Sequence, residues 1–321
     1  MKLLSFIIPV YNCEGFLRIC LESILKSGFS REETEIIFVD DASTDDSADV
    51  LDEMVHQYSH VKVVRQDKSG PATARNKGLT MSEGEYVWFV DSDDRVVEGI
   101  AAQLLPYMRE NVDLVAFNYR KVYSGHSEDI RNFVVAKEDT GVGCLEKMHP
   151  GLYLWDKIFK RSAIREHFID NTYHIEDLYF NIINMIHLES VICLPVCGYE
   201  YVQYKADSIS KRRDLASVKQ ANKDAYTVYS RLANQALLTV NESANTLISM
   251  VLQNGVAGHL YTMMNESPTK EICHYIEKYR TLGLYPVPQL DNLRKNLFLL
   301  LANRKNLFVL FAAIKRYLRR E

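Results

Sequence analysis

Tyr86-Val87-Trp88-Phe89-Val90-Asp91-Ser92-Asp93-Asp94-Arg95 decides how this chain is read. Its first five residues, aromatic or β-branched throughout, predict a buried strand. The strand runs straight into three carboxylates within four positions. Two like charges about 4 Å apart repel by roughly 1 kcal/mol in water and by about 4 kcal/mol at an effective dielectric of 20. An acid cluster at the mouth of a core strand therefore needs solvent, partners or a cation. A hard divalent cation with phosphate oxygens satisfies it, and a solvated turn with Asp94 capping the next helix is the plainer alternative.

Outward from this stretch, residues 4–117 alternate strand and helix with short connections, which predicts an α/β fold with a mostly parallel sheet covered by helices on both faces. Strands are expected at 4–10, 35–39, 61–64, 86–90 and 113–119, and helices at 14–26, from Ser43 or Thr44 to Tyr58, from Gly70 to Leu79, and at 97–109. Ligands of such sheets sit beyond the carboxyl ends of the strands, the rim that receives Asn12, Asp40, Asp41 and Asp91 to Asp94. The turn after the first strand, Tyr11-Asn12-Cys13-Glu14-Gly15, lacks the glycine-rich cradle of a dinucleotide fold, and no Walker sequence is present. Further on, 124–131 reads as a loop, 155–161 as a short strand or turn, 174–186 as a helix entry and 191–204 as a strand. Helical signals follow, so two domains are expected, 1–212 and 213–321.

The 321 residues are 47% hydrophobic and 25% charged, the balance of a soluble globular protein. A net charge of -4 gives no reason to expect nucleic acid as a partner. Six cysteines without a CxxC pair read as reduced, buried thiols. The apolar start is too short for a signal peptide, which points to a cytoplasmic protein. Near the end, Arg294-Lys295-Asn296-Leu297-Phe298-Leu299-Leu300 is echoed by Arg304-Lys305-Asn306-Leu307-Phe308-Val309-Leu310, in a tail with eight Lys/Arg and one acid. Such a basic, apolar tail suits peripheral contact through 294–320 with the inner face of an anionic membrane. A packed helical hairpin has the same composition, and no run is long enough to span a bilayer.

Six stretches in order, Pro9-Val10-Tyr11-Asn12, Asp40-Asp41-Ala42-Ser43-Thr44-Asp45, Gly70-Pro71-Ala72-Thr73-Ala74-Arg75-Asn76-Lys77-Gly78, Asp91-Ser92-Asp93-Asp94, Trp155-Asp156-Lys157 and Glu176-Asp177-Leu178-Tyr179-Phe180, resemble the family-two glycosyltransferases of the GT-A fold. The resemblance covers residues 4 to about 210. It implies a nucleotide-diphosphate-sugar donor, a divalent metal and inversion at the anomeric carbon, with Ala42 departing from the family's usual glycine. By resemblance Asp40 and Asp41 line the nucleoside pocket, with Pro9 and Tyr11 as its wall. Gly70 permits close backbone approach, while Arg75 offers a forked donor set to a phosphate or to a rim carboxylate. Asp93 is the expected ligand of Mn2+ or Mg2+, and Asp91 contacts ribose or the metal through water, with Ser92 on the donor side. Lys205, with Ser208 and Ser210, falls where the family closes a loop over the diphosphate.

An inverting transfer needs a carboxylate to take the acceptor's proton. Glu176-Asp177 opens a helix, where the dipole favours ionised acids, and the resemblance points to Asp177, with Glu176 able to exchange roles. Trp155 either stacks on the acceptor or fills the core, and Lys157 is expected to pair with the acid rim. The overall expectation is sugar transfer from a UDP-sugar to a glycan or lipid-linked acceptor in cell-surface polysaccharide synthesis. A sugar-1-phosphate nucleotidyltransferase would need a basic, glycine-rich loop after the first strand. A catalytically silent sugar-nucleotide scaffold would have no need of both Asp93 and Asp177.

Overall fold

Four parallel strands, β1 (Leu4–Val10), β2 (Thr34–Asp40), β3 (Val61–Arg65) and β4 (Tyr86–Phe89), pair in the order β3-β2-β1-β4. In this computed structural model, which describes residues 2–147, 153–203, 214–239, 241–290 and 292–318, β1, β2 and β4 are almost wholly buried. Their near-continuous apolar runs follow from being covered on both faces. On one face, Phe6, Ile8, Phe38 and Trp88 meet α1 (Glu14–Lys26), α2 (Ser47–Gln57) and α4 (Ala101–Arg109) through Leu17, Leu21, Leu51 and Leu104. On the other, α3 (Pro71–Met81) brings Ala74 against Ile37 and Val39. A Cβ at Gly78 would lie 2.4 Å from Ile7 Cγ2, so α3 presses its backbone on β1 there. Overpacking of this kind costs about 1–3 kcal/mol. Arg75, three residues earlier on the same face of α3, is thereby held near the carboxyl rim of the sheet.

Past β4 the sheet becomes mixed. The order continues β4-β9-β6-β10-β5, in which β9 (Lys157–Lys160) runs antiparallel to both β4 and β6 (Leu114–Tyr123). β10 (Val191–Val202) is parallel to β6, with register shifts between Leu194 and Tyr199, and β5 (Arg95–Val96) pairs antiparallel with it. The expected loop at 124–131 is instead a hairpin: β7 (His126–Ile130) folds back on β6 through Gly125 at φ 92°. β7 is exposed along most of its length, so it lacks the alternation that marks a half-buried strand. β8 (Lys137–Asp139) and α5 (Gly141–Lys147) precede β9, and α6 (Glu176–Met185) precedes β10.

The chain divides into the units Met1–Ala206 and Asp207–Glu321, and the expected boundary at 212/213 falls in 204–213, outside the described residues. The second unit contains α7 (Leu215–Leu238), α8 (Glu242–Glu266), α9 (Thr269–Thr281), α10 (Leu293–Ala302) and α11 (Lys305–Leu318). Asp214, Asn241 and Asn292 accept backbone N–H bonds at the starts of α7, α8 and α10, the usual work of N-caps. Inside it, His259 Nε2 donates to Asn222 Oδ1 at 2.9 Å and Nδ1 accepts from the Tyr279 hydroxyl at 2.5 Å. Burial lowers the His259 pKa to about 3, so the ring is neutral.

Candidate active site

The parallel register that places Val10 beside Asp40 and Ile7 beside Phe89 delivers three turns to one rim. Asn12 and Ala42 in these turns have φ of 52° and 58°. At Ala42 the left-handed conformation costs a Cβ-bearing residue about 1–2 kcal/mol, which explains why glycine suits this position. Asn12 ties two turns together, its Oδ1 accepting from Thr44 N at 2.8 Å. Pro9 and Tyr11 are partly exposed beside it.

Asp40 and Asp41 are both buried and organise loops. Asp40 Oδ1 accepts from Ser43 N at 3.0 Å, whereas Asp41 accepts from Ser69 N at 2.7 Å, Gln66 Nε2 at 2.8 Å and Gly70 N at 2.9 Å. A carboxylate has about four acceptor positions. Three of those of Asp41 thus hold the loop between β3 and α3. Gly70 has φ 90°, and a Cβ there would lie 3.0 Å from the Tyr173 ring, so the position requires glycine on both counts. The same loop carries a residue that sequence reading did not single out: Lys68 places its ammonium over the Tyr11 ring and 3.8 Å from Asp41 Oδ2.

Arg75 is the hub of the rim. Its Nη1 donates to Glu176 Oε1 at 2.7 Å and its Nη2 to Asp91 Oδ1 at 2.9 Å, with Asp177 Oδ1 at 3.6 Å from Nη1. One guanidinium therefore joins the end of β4 to the start of α6, a use of its fork that a lysine cannot copy. The ion pair with rim carboxylates expected for Arg75 is present. Burial opposes its charge, but Asp177, Asp91 and Glu176 outweigh that and raise its pKa. Just before α6, Ile175 has φ 52°, a rare conformation for a β-branched residue and a strain of the sort found at functional sites.

Glu176 and Asp177 differ in surroundings. The Glu176 side chain is 9% exposed and gripped by Arg75, while that of Asp177 is 25% exposed. Burial first, then the neighbouring Glu176, push the Asp177 carboxyl well above the usual carboxylate range, against the pull of Arg75. Among the described residues, none donates a hydrogen bond to the buried Asp177 Oδ1.

The acid turn itself is braced from beneath. Asp94 caps no helix: it is buried, accepting from the Tyr199 hydroxyl at 3.1 Å and from Val202 N at 2.8 Å. The Tyr199 oxygen in turn accepts from Asp91 N at 3.0 Å. Ser92 is buried and donates to Cys13 Sγ at 3.1 Å, whereas Asp93 is partly exposed on the rim. Tyr199→Phe keeps the ring and removes the bridging hydroxyl, leaving polar groups at Asp91 and Asp94 without that partner. Unpairing buried groups costs about 1–3 kcal/mol, so urea unfolding followed through Trp88 and Trp155 is expected to show a loss of that size. An unchanged midpoint would mean that the hydroxyl carries no weight.

Trp155 is 2% exposed, its indole stacked on Tyr199 at 4.5 Å and on Tyr153 at 4.4 Å. With both faces covered it backs the site and offers no face to an acceptor, which corrects the stacking expectation. Lys157 is also fully buried. Its Nζ donates to Asp156 Oδ1 at 2.5 Å and to the Tyr153 carbonyl, so it reaches no rim carboxylate by direct contact, although its charge stabilises ionised Asp177. Burial lifts Asp156 to about 6 despite Lys157. Lys205, Ser208 and Ser210 lie outside the described residues.

The sequence profile of glycosyl transferase family 2 matches residues 5–168. The chain belongs to that family. It is a glycosyltransferase, so the nucleotidyltransferase and silent-binder readings fall away. Over 295 residues this family-two enzyme is 27% identical to the putative glycosyltransferase EpsH of Bacillus subtilis, a match spanning 87% of this chain and 82% of EpsH. Its fold is similar to that of S. aureus TarS 1–349 in complex with UDP-GlcNAc, with a TM-score of 0.75 at 21% identity over all of this chain and 92% of that one. A more distant likeness, with a TM-score of 0.53 at 15% identity over 99% of this chain and 88% of that one, is to the mannosyltransferase PcManGT of Pyrobaculum calidifontis in complex with GDP-Man and Mn2+.

Proposed function

We propose that the protein is a metal-dependent, inverting glycosyltransferase that moves a sugar from a UDP-sugar to a hydroxyl of a glycan or lipid-linked acceptor in cell-surface polysaccharide synthesis. The observation that carries this is the Arg75 hub. It fixes Asp91 at the end of β4 and Glu176 at the start of α6 while leaving Asp177 the more exposed acid of the α6 pair. That division of labour supports a reading in which Glu176 positions Arg75, and Asp177 takes the acceptor's proton as the acceptor oxygen attacks the anomeric carbon from the face opposite the diphosphate. Uridine as the nucleoside of the donor is supported by the fold shared with TarS bound to UDP-GlcNAc. Tyr11, Pro9, Asp40 and Asp41 form its pocket, in which Lys68 must leave the Tyr11 ring for a base to stack there.

Among the described residues, no three His, Cys, Asp or Glu converge as a preformed metal centre. A magnesium or manganese ion that shares a nucleotide's phosphates needs only one or two protein carboxylates. Asp93, partly exposed, and Asp91, held through one oxygen, fit that demand with hard oxygen donors. An ion held there supplies Lewis-acid neutralisation of the charge growing on the leaving diphosphate. The remaining steps belong to side chains: Arg75 keeps Asp91 on the rim, Tyr199 and Asp94 fix the turn, and Asp177 moves the proton.

Asp93→Ala is expected to lose metal-dependent nucleotide binding while retaining the wild-type melting temperature, because its carboxylate is partly exposed. Calorimetric titration with UDP and manganese checks this. Undiminished metal-dependent binding would remove Asp93 as the ligand.

A further inference from the structure

We propose that the outer face of the helix pair α10 and α11 is a docking surface for an anionic lipid bilayer. The proposal rests on which side chains this part of the chain leaves outside, and does not depend on the identity of the sugar donor.

Each helix has two apolar sides. The inner sides are used: Leu299 and Ala302 of α10 and Phe308 and Ala312 of α11 are buried. On α10, Leu293, Leu297 and Leu300 stay exposed at i, i+4 and i+7. On α11, Leu307, Leu310, Phe311 and Ile314 stay exposed at i, i+3, i+4 and i+7. These spacings put the exposed residues of each helix on one stripe. All seven are between 45% and 77% exposed, on the side where a surface helix of a soluble protein typically carries polar residues. Nearby, Tyr261 is half exposed, with its ring 5.5 Å from that of Phe298.

The charge selects the occupant. Residues 292–320 contain no Asp or Glu, while Arg294, Lys295, Arg304, Lys305 and Lys315 lie within or between the two helices. Lys295 and Lys305 also contact Asn254 and Glu277, which keeps them close to the second unit's own surface. A second copy docked face to face would bring two basic surfaces together. An anionic membrane presents the opposite sign together with an apolar layer to receive the leucines. Among the described residues no single helix is long and apolar enough to cross a membrane, and α10 and α11 are bent by 100° at their junction. Two short helices joined this way suit lying in the interfacial plane.

The test is co-sedimentation of the full chain with vesicles of phosphatidylcholine alone or of equimolar phosphatidylcholine and phosphatidylglycerol. The wild type is expected to pellet with the anionic vesicles, to remain in the supernatant with the neutral ones, and to bind less as salt rises. Leu297→Glu with Leu310→Glu is expected to lower anionic-vesicle binding at least about tenfold at an unchanged melting temperature, both side chains being exposed. Arg294→Glu with Arg304→Glu is expected to remove the preference for anionic lipid. A wild type that stays in the supernatant with anionic vesicles would overturn the proposal, as would a Leu297→Glu, Leu310→Glu variant that pellets like wild type. A wild-type dimer that this variant converts to monomer would assign the face to a second copy instead.

Discussion

Arg75→Met is expected to abolish sugar transfer and to destabilise the N-terminal unit by about 3–5 kcal/mol, the size seen when one partner of a buried ion pair is removed. Arg75 is the shared counter-charge of Glu176, Asp91 and Asp177, at 2.7, 2.9 and 3.6 Å. Its own side chain is 6% exposed, so little water can replace it. Without it the three acids face one another in a poorly solvated site, and some of them must protonate or move apart. Transfer is lost for the same reason, since the turn carrying Asp91 and the start of α6 are no longer held together. Arg75→Lys is expected to fall between the two, because a single ammonium cannot reach both sides with a fork's geometry. Denaturation can be followed through fluorescence: both tryptophans, Trp88 and Trp155, belong to the first unit. A methionine variant as stable and active as wild type would show that the ion pairs are of the weak surface kind.

Asp177→Asn is expected to bind UDP as wild type does, yet to turn over slower by a factor on the order of 10² to 10⁴. An amide preserves shape and cannot accept the proton. The pH profile gives a second signature. Burial and Glu176 raise the pKa of Asp177, and its partial exposure lets solvent moderate that push. A base works ionised, so activity is lost as pH falls through the raised value. The acid limb of the wild-type rate should therefore lie above the ordinary aspartate range near 3.9. The residual activity of Asp177→Asn should lack that limb. Near-normal turnover in Asp177→Asn, or the same acid limb in both proteins, would place the base elsewhere.

Much of this architecture is legible from the sequence because β1, β2 and β4 are almost wholly buried and announce themselves as apolar runs, two of which, β2 and β4, run straight into acids. β9 is harder to read: it has four residues, two of them lysines, and its antiparallel insertion between β4 and β6 depends on contacts far along the chain. The acid rim was legible as a cluster, since strand ends of a parallel sheet share one side. Its inner wiring was not. Nothing local to Asp94 indicates that Tyr199, 105 residues away, will hold it. Nor does anything local to Asp41 indicate that three donors of the loop between β3 and α3 will be found on it. Trp155 illustrates the converse: a tryptophan beside a site suggests stacking on a ligand, but two neighbouring tyrosines already occupy its faces. Ala42 shows that a departure from a family pattern can be read as strain once its positive φ is known.

The proposed metal-assisted UDP-sugar site on the rim of the first unit can be probed by calorimetric titration of the full chain with UDP, GDP and CMP, each with manganese and with a chelator. Binding of UDP with manganese is expected, weakened at least about tenfold by the chelator, with little response to GDP or CMP. Absence of binding by any nucleotide, or UDP binding that the chelator leaves unchanged, would contradict it.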